Sequence, residues 1–305
     1  MFSFLTFDDF SVFDSKQLGR QLLPYDWVSS ERPMSTLISV RHGRAVAIYN
    51  GDNWLTIKGV GWQFGGPHIL RPAKDRELVF GLLDEKAAKR EKEVSDYLQE
   101  ISVEYPEVIG YRKFADVSLP SEGKFILDIT FNNGVRVDPC ILCTKAKSPF
   151  RMADMAFLCD KDKEEVVDYY CSFFRCERPA FLKTFAGILG NRIGFLHAHG
   201  IINDSLYWDN ITMCAEIVDY EWLTVPGMVL PNGEDASNTM TAERKEKEIV
   251  YAVEAMLRMA DILGMSRDFY EILDAILGGY DEENRSFVEN SKMLERLRKG
   301  DKYIC

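Results

Sequence analysis

Short apolar runs, rich in β-branched residues and separated by turn-forming residues, dominate the first half of the chain. Such runs are typical of strands. The predicted strands are residues 37–40, 45–49, 54–58, 125–131, 135–137 and 141–144. Among them, residues 84–101 interleave charges with apolar positions at helical spacing, and Asp84 stands where it can cap a helix. The first half is therefore expected to form a sheet with one long helix.

In the second half, the apolar positions recur at helical spacing. Helices are predicted over residues 163–174, 180–197, 241–263, 269–277 and 287–297. Residues 211–214 and 216–219 predict a small hairpin among these helices. A strand-rich half followed by a helical half predicts an α+β fold with two lobes. The expected divisions are an N-terminal arm over 1–34, a first lobe over 35–146 and a second lobe over 147–305.

Composition narrows the function classes. The chain has 305 residues and is 46% hydrophobic, which is ample for a packed core. It carries 37 basic and 48 acidic residues, and the net charge of −11 argues against nucleic acid or an anionic membrane as a partner. No apolar run is long enough for a membrane-spanning helix. With scattered cysteines and no sign of a signal peptide, the chain is expected to be cytoplasmic with reduced thiols.

The predicted hairpin carries the most informative polar residues. Asn210 comes directly before its first strand and Asp219 directly after its second, so both side chains are expected at the same end. An amide oxygen and a carboxylate are hard ligands that suit Mg²⁺ together with phosphate oxygens. The alternative is a loop in which both side chains only cap backbone groups.

A lysine at the end of a strand is the second candidate. Lys58 ends an otherwise apolar run and is followed by a glycine-rich segment, where its ammonium group could reach a phosphate. The helix predicted over 84–101 offers Glu91, Glu93 and Glu100 as carboxylates to hold it. The alternative is an edge-strand lysine that guards against aggregation.

Together, these residues follow the chain order of the phosphate-handling groups in protein kinases, which are a strand Lys, a helix Glu, and an Asn and Asp that bind metal. The usual kinase base lies five residues before the metal-binding Asn, and that position here is Ser205. The nearest carboxylates are Asp204 and Asp209. A standard protein kinase is therefore not expected.

Several motifs resemble those of the selenoprotein O family of kinase-fold enzymes. The family motif L-K-G-A-G is similar to I-K-G-V-G at 57–61, and its A-V-L-R segment is similar to I-L-R at 69–71. Its R-V-A-x-S-H-I-R-F segment resembles residues 145–152. Its G-F-x-H-G, T-D-N-M-S and I-D-Y-G segments resemble residues 194–197, 208–211 and 218–221. The resemblance covers about residues 35–225.

This resemblance implies a bilobal protein-kinase-like fold, with a kinase-like first lobe and a helical kinase-like second lobe. It also implies transfer of AMP from ATP to Ser, Thr or Tyr hydroxyls of a protein acceptor, with Mg²⁺ or Mn²⁺. The implied site residues are Lys58 and Arg151 on ATP phosphates, Glu93 pairing with Lys58 (Glu91 being the alternative), Asn210 and Asp219 on the metal, and Asp209 as the base.

Two other functions stay open. A phosphotransferase acting on a protein or a small molecule would use Asp204 as its base. A nucleotide-binding pseudokinase scaffold is suggested by Glu221, which replaces the glycine of the family's I-D-Y-G segment, and by the extra residues 201–207.

Cysteine and histidine spacing offers further candidate sites. Cys140 and Cys143 have the spacing of half a zinc site or of a redox pair, but buried thiols are the favoured interpretation. His197 and His199 are two residues apart, so one helix face cannot present both to a metal, and hydrogen bonding at the helix end is favoured. Family members often carry selenocysteine or cysteine near the C-terminus, and the redox role of Cys305 is left open.

Overall fold

The computed structural model of the chain describes residues 35–38, 45–49, 53–59, 83–104, 106–113, 131–132, 135–136, 139–230, 241–280 and 291–299. These residues divide into two compact units, the first ending at Pro149 and the second beginning at Phe150. Their sheets and helices agree with the expected α+β class. Several predicted features lie outside the described residues. They are the N-terminal arm, the motifs at 57–61 and 69–71 except for residues 57–59, most of the strand predicted over 125–131, and Cys305.

The first unit is built on an antiparallel sheet. Its strands are β1 Ser35–Ile38, β2 Ala45–Tyr49, β3 Trp54–Lys58, β4 Leu83–Asp84, β5 Glu107–Lys113 and β8 Pro139–Ala146. A separate short hairpin, β6 Phe131–Asn132 with β7 Val135–Arg136, forms where an Asn-Asn-Gly turn predicts one. The predicted meander of β1, β2 and β3 is confirmed, since each strand pairs with the next.

Strand β8 is the centre of this sheet. One edge of β8 pairs with β3, with Lys58 opposite Leu142, and the other edge pairs with β5. Short β4 pairs with the start of β8 beyond the end of β3. At that junction Gly59 has φ +91, and a Cβ there would lie 2.5 Å from the carbonyl oxygen of Cys140. Only glycine fits, because the backbone after Lys58 bends tightly against β8.

The long helix predicted over residues 84–101 is present and packs on this sheet. Helix α1, Glu85–Glu100, begins at Asp84, whose carboxylate accepts a hydrogen bond from the backbone of Lys86. Its buried face contains Ala88, Glu91, Val94, Ser95 and Leu98. The hydroxyl of Ser95 accepts a hydrogen bond from the backbone of Val108 in β5 at 2.8 Å, which ties the helix to the sheet.

Strand β5 was not predicted from the sequence. Its residues are mostly half-buried, and the pairing with β8 shifts register between Val108 and Gly110. A bulge of this kind breaks the two-residue alternation by which a strand is recognised, and glycine itself disfavours a strand.

The second unit is mainly helical. Its helices are α2 Asp160–Phe174, α3 Phe181–Ala198, α4 Ala242–Leu263, α5 Phe269–Leu277 and α6 Lys292–Arg298. These confirm the predicted helices to within a few residues at each end, except that residues 287–290 of the last prediction lie outside the described residues. Two short strands, β9 Ile202–Asn203 and β10 Leu223–Thr224, pair antiparallel. Within the described ranges, no helix has both the length and the apolar character needed to cross a bilayer.

Helices α3 and α5 approach each other closely through glycines, and we call this contact the glycine seam. A Cβ on Gly190 would lie 2.0 Å from the carbonyl oxygen of Ile276, and one on Gly194 would lie 2.5 Å from that of Gly279. The missing side chains let the α3 backbone rest directly on the residues that end α5. Tyr280 follows this contact directly and reaches the end of α3.

A buried polar cluster joins α3 to α4. His197 Nε2 is hydrogen-bonded to the carboxyl group of Glu248, and its Nδ1 is 2.7 Å from the hydroxyl of Tyr280. The other carboxyl oxygen of Glu248 accepts a hydrogen bond from the backbone of Asn203. Burial lowers the pKa of His197 to about 3 and raises that of Glu248 well above its ordinary value. The native pair therefore holds one proton, on Glu248.

The pair of His197 and Glu248 predicts that the free energy of unfolding is highest, and does not vary, between pH 4.5 and 6.5. These limits are the ordinary pKa values of Glu and His. In that range the unfolded pair also holds one proton, on His197. Below it, the unfolded pair gains a second proton. Above it, the unfolded pair loses its last proton while Glu248 keeps its own. Each one-proton difference lowers the free energy of unfolding by about 1.4 kcal/mol per pH unit away from the plateau.

Urea unfolding at a series of pH values checks this, with Glu248→Gln as the matched variant. Glutamine keeps the shape but does not titrate, so the alkaline loss due to Glu248 should disappear. The acid loss should then begin near pH 6.5 instead of 4.5, because only His197 still titrates. Parallel pH curves for the two proteins would contradict the one-proton assignment.

Candidate functional site

The site predicted in the second unit is built on a short antiparallel pairing. Residues 150–152 run beside 211–213, with the backbone of Met152 donating to Ile211 at 2.8 Å and that of Met213 donating to Phe150 at 2.9 Å. Arg151 is thereby bridged to Thr212. A residue about 60 positions before the hairpin is fixed at its side.

The predicted hairpin is present. Ile211 is bridged to Ile217, and the backbone of Val218 donates to the carbonyl oxygen of Asn210 at 2.9 Å. The turn closes by a hydrogen bond from Ala215 to Thr212, with Ala215 at φ +57. This pairing places Asn210 and Asp219 at the same end, as the sequence predicts.

Arg151 brings the predicted residues of this unit together. Its Nη1 atom lies 2.9 Å from Asp219 Oδ2, 3.2 Å from Asn210 Oδ1 and 2.7 Å from the carbonyl oxygen of Asp209. The side chains of Arg151 and Asp219 are only 13% and 20% exposed. Burial acts to lower the pKa of Arg151. The nearby carboxylates, above all that of Asp219, outweigh this effect and raise the pKa above its ordinary value, so the guanidinium stays charged.

The orientation of the two metal candidates is well defined. The amide nitrogen of Asn210 donates to the carbonyl oxygen of Ser205 at 2.9 Å, which turns Oδ1 toward Arg151. Asp219 has φ +63 and ψ +62, a left-handed conformation that is uncommon outside glycine. Backbone strain of this kind concentrates at functional sites.

The oxygen ligands of Asn210 and Asp219 are of the type that binds Mg²⁺. Mg²⁺ is usually held by one or two carboxylates together with substrate phosphates and waters. Their oxygens face the same atom of Arg151, so they converge on one region. In the described part of the chain, no group of three or more His, Cys, Asp or Glu side chains is arranged to hold a metal. Waters or substrate oxygens would complete the coordination of a metal held by these two residues.

The two candidate bases differ in their surroundings. Asp204 forms an ion pair with Arg244, which contacts both carboxylate oxygens and also reaches Thr224 of β10 at 2.8 Å. This ion pair fixes Asp204 beside the β9–β10 pairing. Asp209 directly precedes the metal candidate Asn210, and its negative charge helps to raise the pKa of Arg151.

In the first unit, Lys58 forms an ion pair with Glu91 of α1. The two side chains are only 8% and 4% exposed, so the pair is buried. The prediction that Glu93 pairs with Lys58 is wrong, and the alternative, Glu91, takes that place. Glu93 is 52% exposed and lies 3.8 Å from Lys89 on the outer face of the helix.

The sequence prediction missed Asp154. Its buried carboxylate accepts a hydrogen bond from the backbone nitrogen of Arg151 at 2.7 Å and fixes the segment that carries the guanidinium. A capping box has Ser or Thr at the N-cap and Glu or Gln three residues later, with the acidic or amide side chain accepting from the N-cap backbone. The sequence at 151–154 carries only the acidic half of that signal.

The cysteine and histidine alternatives have structural explanations. Cys140 and Cys143 are three residues apart in β8, so their side chains point to opposite faces of the sheet. Both are buried, and burial raises the pKa of the Cys143 thiol to about 12. His199 Nδ1 is hydrogen-bonded to the carbonyl oxygen of Phe195 at the end of α3. None of the six described cysteines forms a disulfide bond.

Comparison with known proteins adds no assignment. No model of a known protein family matches the chain, and no curated protein matches it. The function is therefore inferred from the chain's own residues and motifs.

Proposed function

We propose that this chain is a kinase-like enzyme that transfers AMP from ATP to a hydroxyl group of a protein substrate, with Mg²⁺ or Mn²⁺. The observation that carries the proposal is the convergence of the Asp209 carbonyl oxygen and the Asn210 and Asp219 side chains on Arg151 in the second unit. The ion pair of Lys58 and Glu91 in the first unit supports it. In protein kinases, a strand lysine binds phosphates only when a helix glutamate holds it in place.

The proposed chemistry is a displacement at the α-phosphorus of ATP. The hydroxyl oxygen of the acceptor forms a bond to that phosphorus, and the bond to the oxygen leading to the β-phosphorus breaks. The hydroxyl proton passes to the carboxylate of Asp209, and pyrophosphate leaves. A general base of this kind contributes about 10²- to 10⁴-fold to the rate.

The remaining residues bind and orient the phosphates. Lys58 contributes a positive charge whose position is fixed by Glu91. Asn210 and Asp219 would hold the divalent cation, which supplies neutralisation of phosphate charge when it is bound. Most catalysis in such transfers comes from positioning and charge neutralisation.

Phosphoryl transfer with Asp204 as base is the competing reaction. Both oxygens of its carboxylate are occupied by contacts from Arg244, an arrangement that suits a structural role. This observation favours Asp209 over Asp204.

The test is a paired assay with α-labelled and γ-labelled ATP, with Mg²⁺ or Mn²⁺. We expect label from α-labelled ATP on protein, and its loss of at least about 100-fold in Asp209→Asn and in Asp219→Ala. Asp204→Asn is the matched control and should keep most of the transfer if it still folds by circular dichroism.

Each other outcome has a defined meaning. Label from γ-labelled ATP alone, lost in Asp204→Asn, would establish phosphoryl transfer and overturn the proposal. Neither label, together with a thermal shift from ATP, would leave a nucleotide-binding scaffold.

A further inference from the structure

We infer that Arg151 is an internal cation that competes with the divalent metal for the oxygens of Asn210 and Asp219. Its importance for catalysis rests on the proposed function, whereas the competition itself is a property of these residues. The family resemblance implies that Arg151 contacts a phosphate, but in this structure Arg151 contacts Asn210 and Asp219.

The geometry supports direct competition. One nitrogen, Nη1 of Arg151, is within hydrogen-bond distance of both Asn210 Oδ1 and Asp219 Oδ2. Binding Mg²⁺ would require these oxygens to come within about 2.1 Å of the ion. A doubly charged ion that shares oxygens with a guanidinium is repelled by it, and partial burial limits screening by solvent.

Arg151 is held in this position by more than one device. Its backbone is fixed by Asp154 and by the pairing with residues 211–213, so the attachment point does not depend on the guanidinium. The side chain, in contrast, is long and has several rotatable bonds. The guanidinium can therefore leave the two oxygens by changing rotamer while the backbone stays in place.

A role in coupling follows from this arrangement. Phosphate groups attract guanidinium groups strongly and in a bidentate manner. When nucleotide phosphates draw Arg151 away, the oxygens of Asn210 and Asp219 become available to the metal. Metal and nucleotide are then expected to bind cooperatively in the wild-type chain, because each removes an obstacle to the other.

The test measures Mn²⁺ binding without nucleotide, by electron paramagnetic resonance of free Mn²⁺. Arg151→Met removes the charge at similar length and is expected to bind Mn²⁺ at least about 10-fold more tightly than wild type. Arg151→Lys keeps the positive charge as a compact ammonium group, and its affinity for Mn²⁺ should lie between those of wild type and Arg151→Met. The double variant Arg151→Met, Asp219→Asn should lose the gain, which locates the Mn²⁺ at Asp219.

Two further measurements test whether the variants fold and whether the positive charge itself competes with Mn²⁺. In Arg151→Ala, millimolar methylguanidinium should weaken Mn²⁺ binding again, whereas methylammonium at equal concentration should do so less. Mn²⁺ should also raise the thermal stability of Arg151→Met more than that of wild type.

Equal or weaker Mn²⁺ binding in both Arg151→Met and Arg151→Lys, relative to wild type, would overturn the inference. Failure of the proposed function gives a different pattern. In that case Mn²⁺ would bind the variants more tightly, yet no label from α-labelled ATP would reach protein.

Discussion

Replacing Glu91 with glutamine is expected to lower the free energy of unfolding of the first unit by about 3 to 5 kcal/mol. The substitution removes the negative charge that faces the ammonium group of Lys58, and both side chains are buried. A buried charge that loses its counter-charge keeps its desolvation cost, which is why removing one partner is more damaging than replacing both. Glutamine keeps the shape of glutamate, so packing changes little.

The matched control is Glu93→Gln, two positions along the same helix. Glu93 is 52% exposed, and its change should alter stability by no more than about 0.5 kcal/mol. Hydrogen exchange of peptides from α1 and β8 in the full chain reports on this unit separately. Equal protection in the two variants would contradict the burial of the Lys58 ion pair. Lys58→Met with Glu91→Leu should recover much of the loss.

Replacing Gly190 with alanine is expected to destabilise the second unit by about 3 kcal/mol or more. The new Cβ would lie 2.0 Å from the carbonyl oxygen of Ile276, a backbone atom that cannot move aside as a flexible side chain could. The glycine seam would have to open, and Tyr280 would be drawn from His197.

The control is Gly187→Ala, one turn earlier on the same helix. A Cβ there would lie 3.8 Å from the nearest backbone oxygen, that of Ala275, which is an ordinary contact. Alanine is a better helix former than glycine, so this change should raise stability by up to about 1 kcal/mol. Urea unfolding followed by circular dichroism checks both variants. A gain of stability in both variants would show that the seam is looser than these distances indicate.

The local elements of the fold could be predicted from the sequence. The hairpin that unites Asn210 and Asp219 depends only on a short stretch of apolar residues and its turn. Helix α1 was also predicted, but the choice of glutamate was wrong. Glu91 lies three residues from both Ala88 and Val94, which places it on the buried face of α1. The helical pattern itself therefore contained the correct partner of Lys58.

The contacts of Arg151 could not be predicted in the same way. Arg151 and Asp219 are 68 residues apart, and their meeting depends on the pairing of residues 150–152 with the hairpin. The resemblance in the sequence predicts that Arg151 contacts a phosphate, but it does not predict the contacts with Asn210 and Asp219. Those contacts depend on the local charge, which is a property of the folded chain.

The left-handed backbone of Asp219 also limits how this chain can change during evolution. Asparagine and glycine are the residues that adopt this conformation most readily. Both remove the carboxylate. Mutational drift at position 219, once released from selection for chemistry, should therefore reach uncharged residues first, with little resistance from the backbone. Under the proposed function, a lineage that gave up catalysis would carry the trace of that loss at this position.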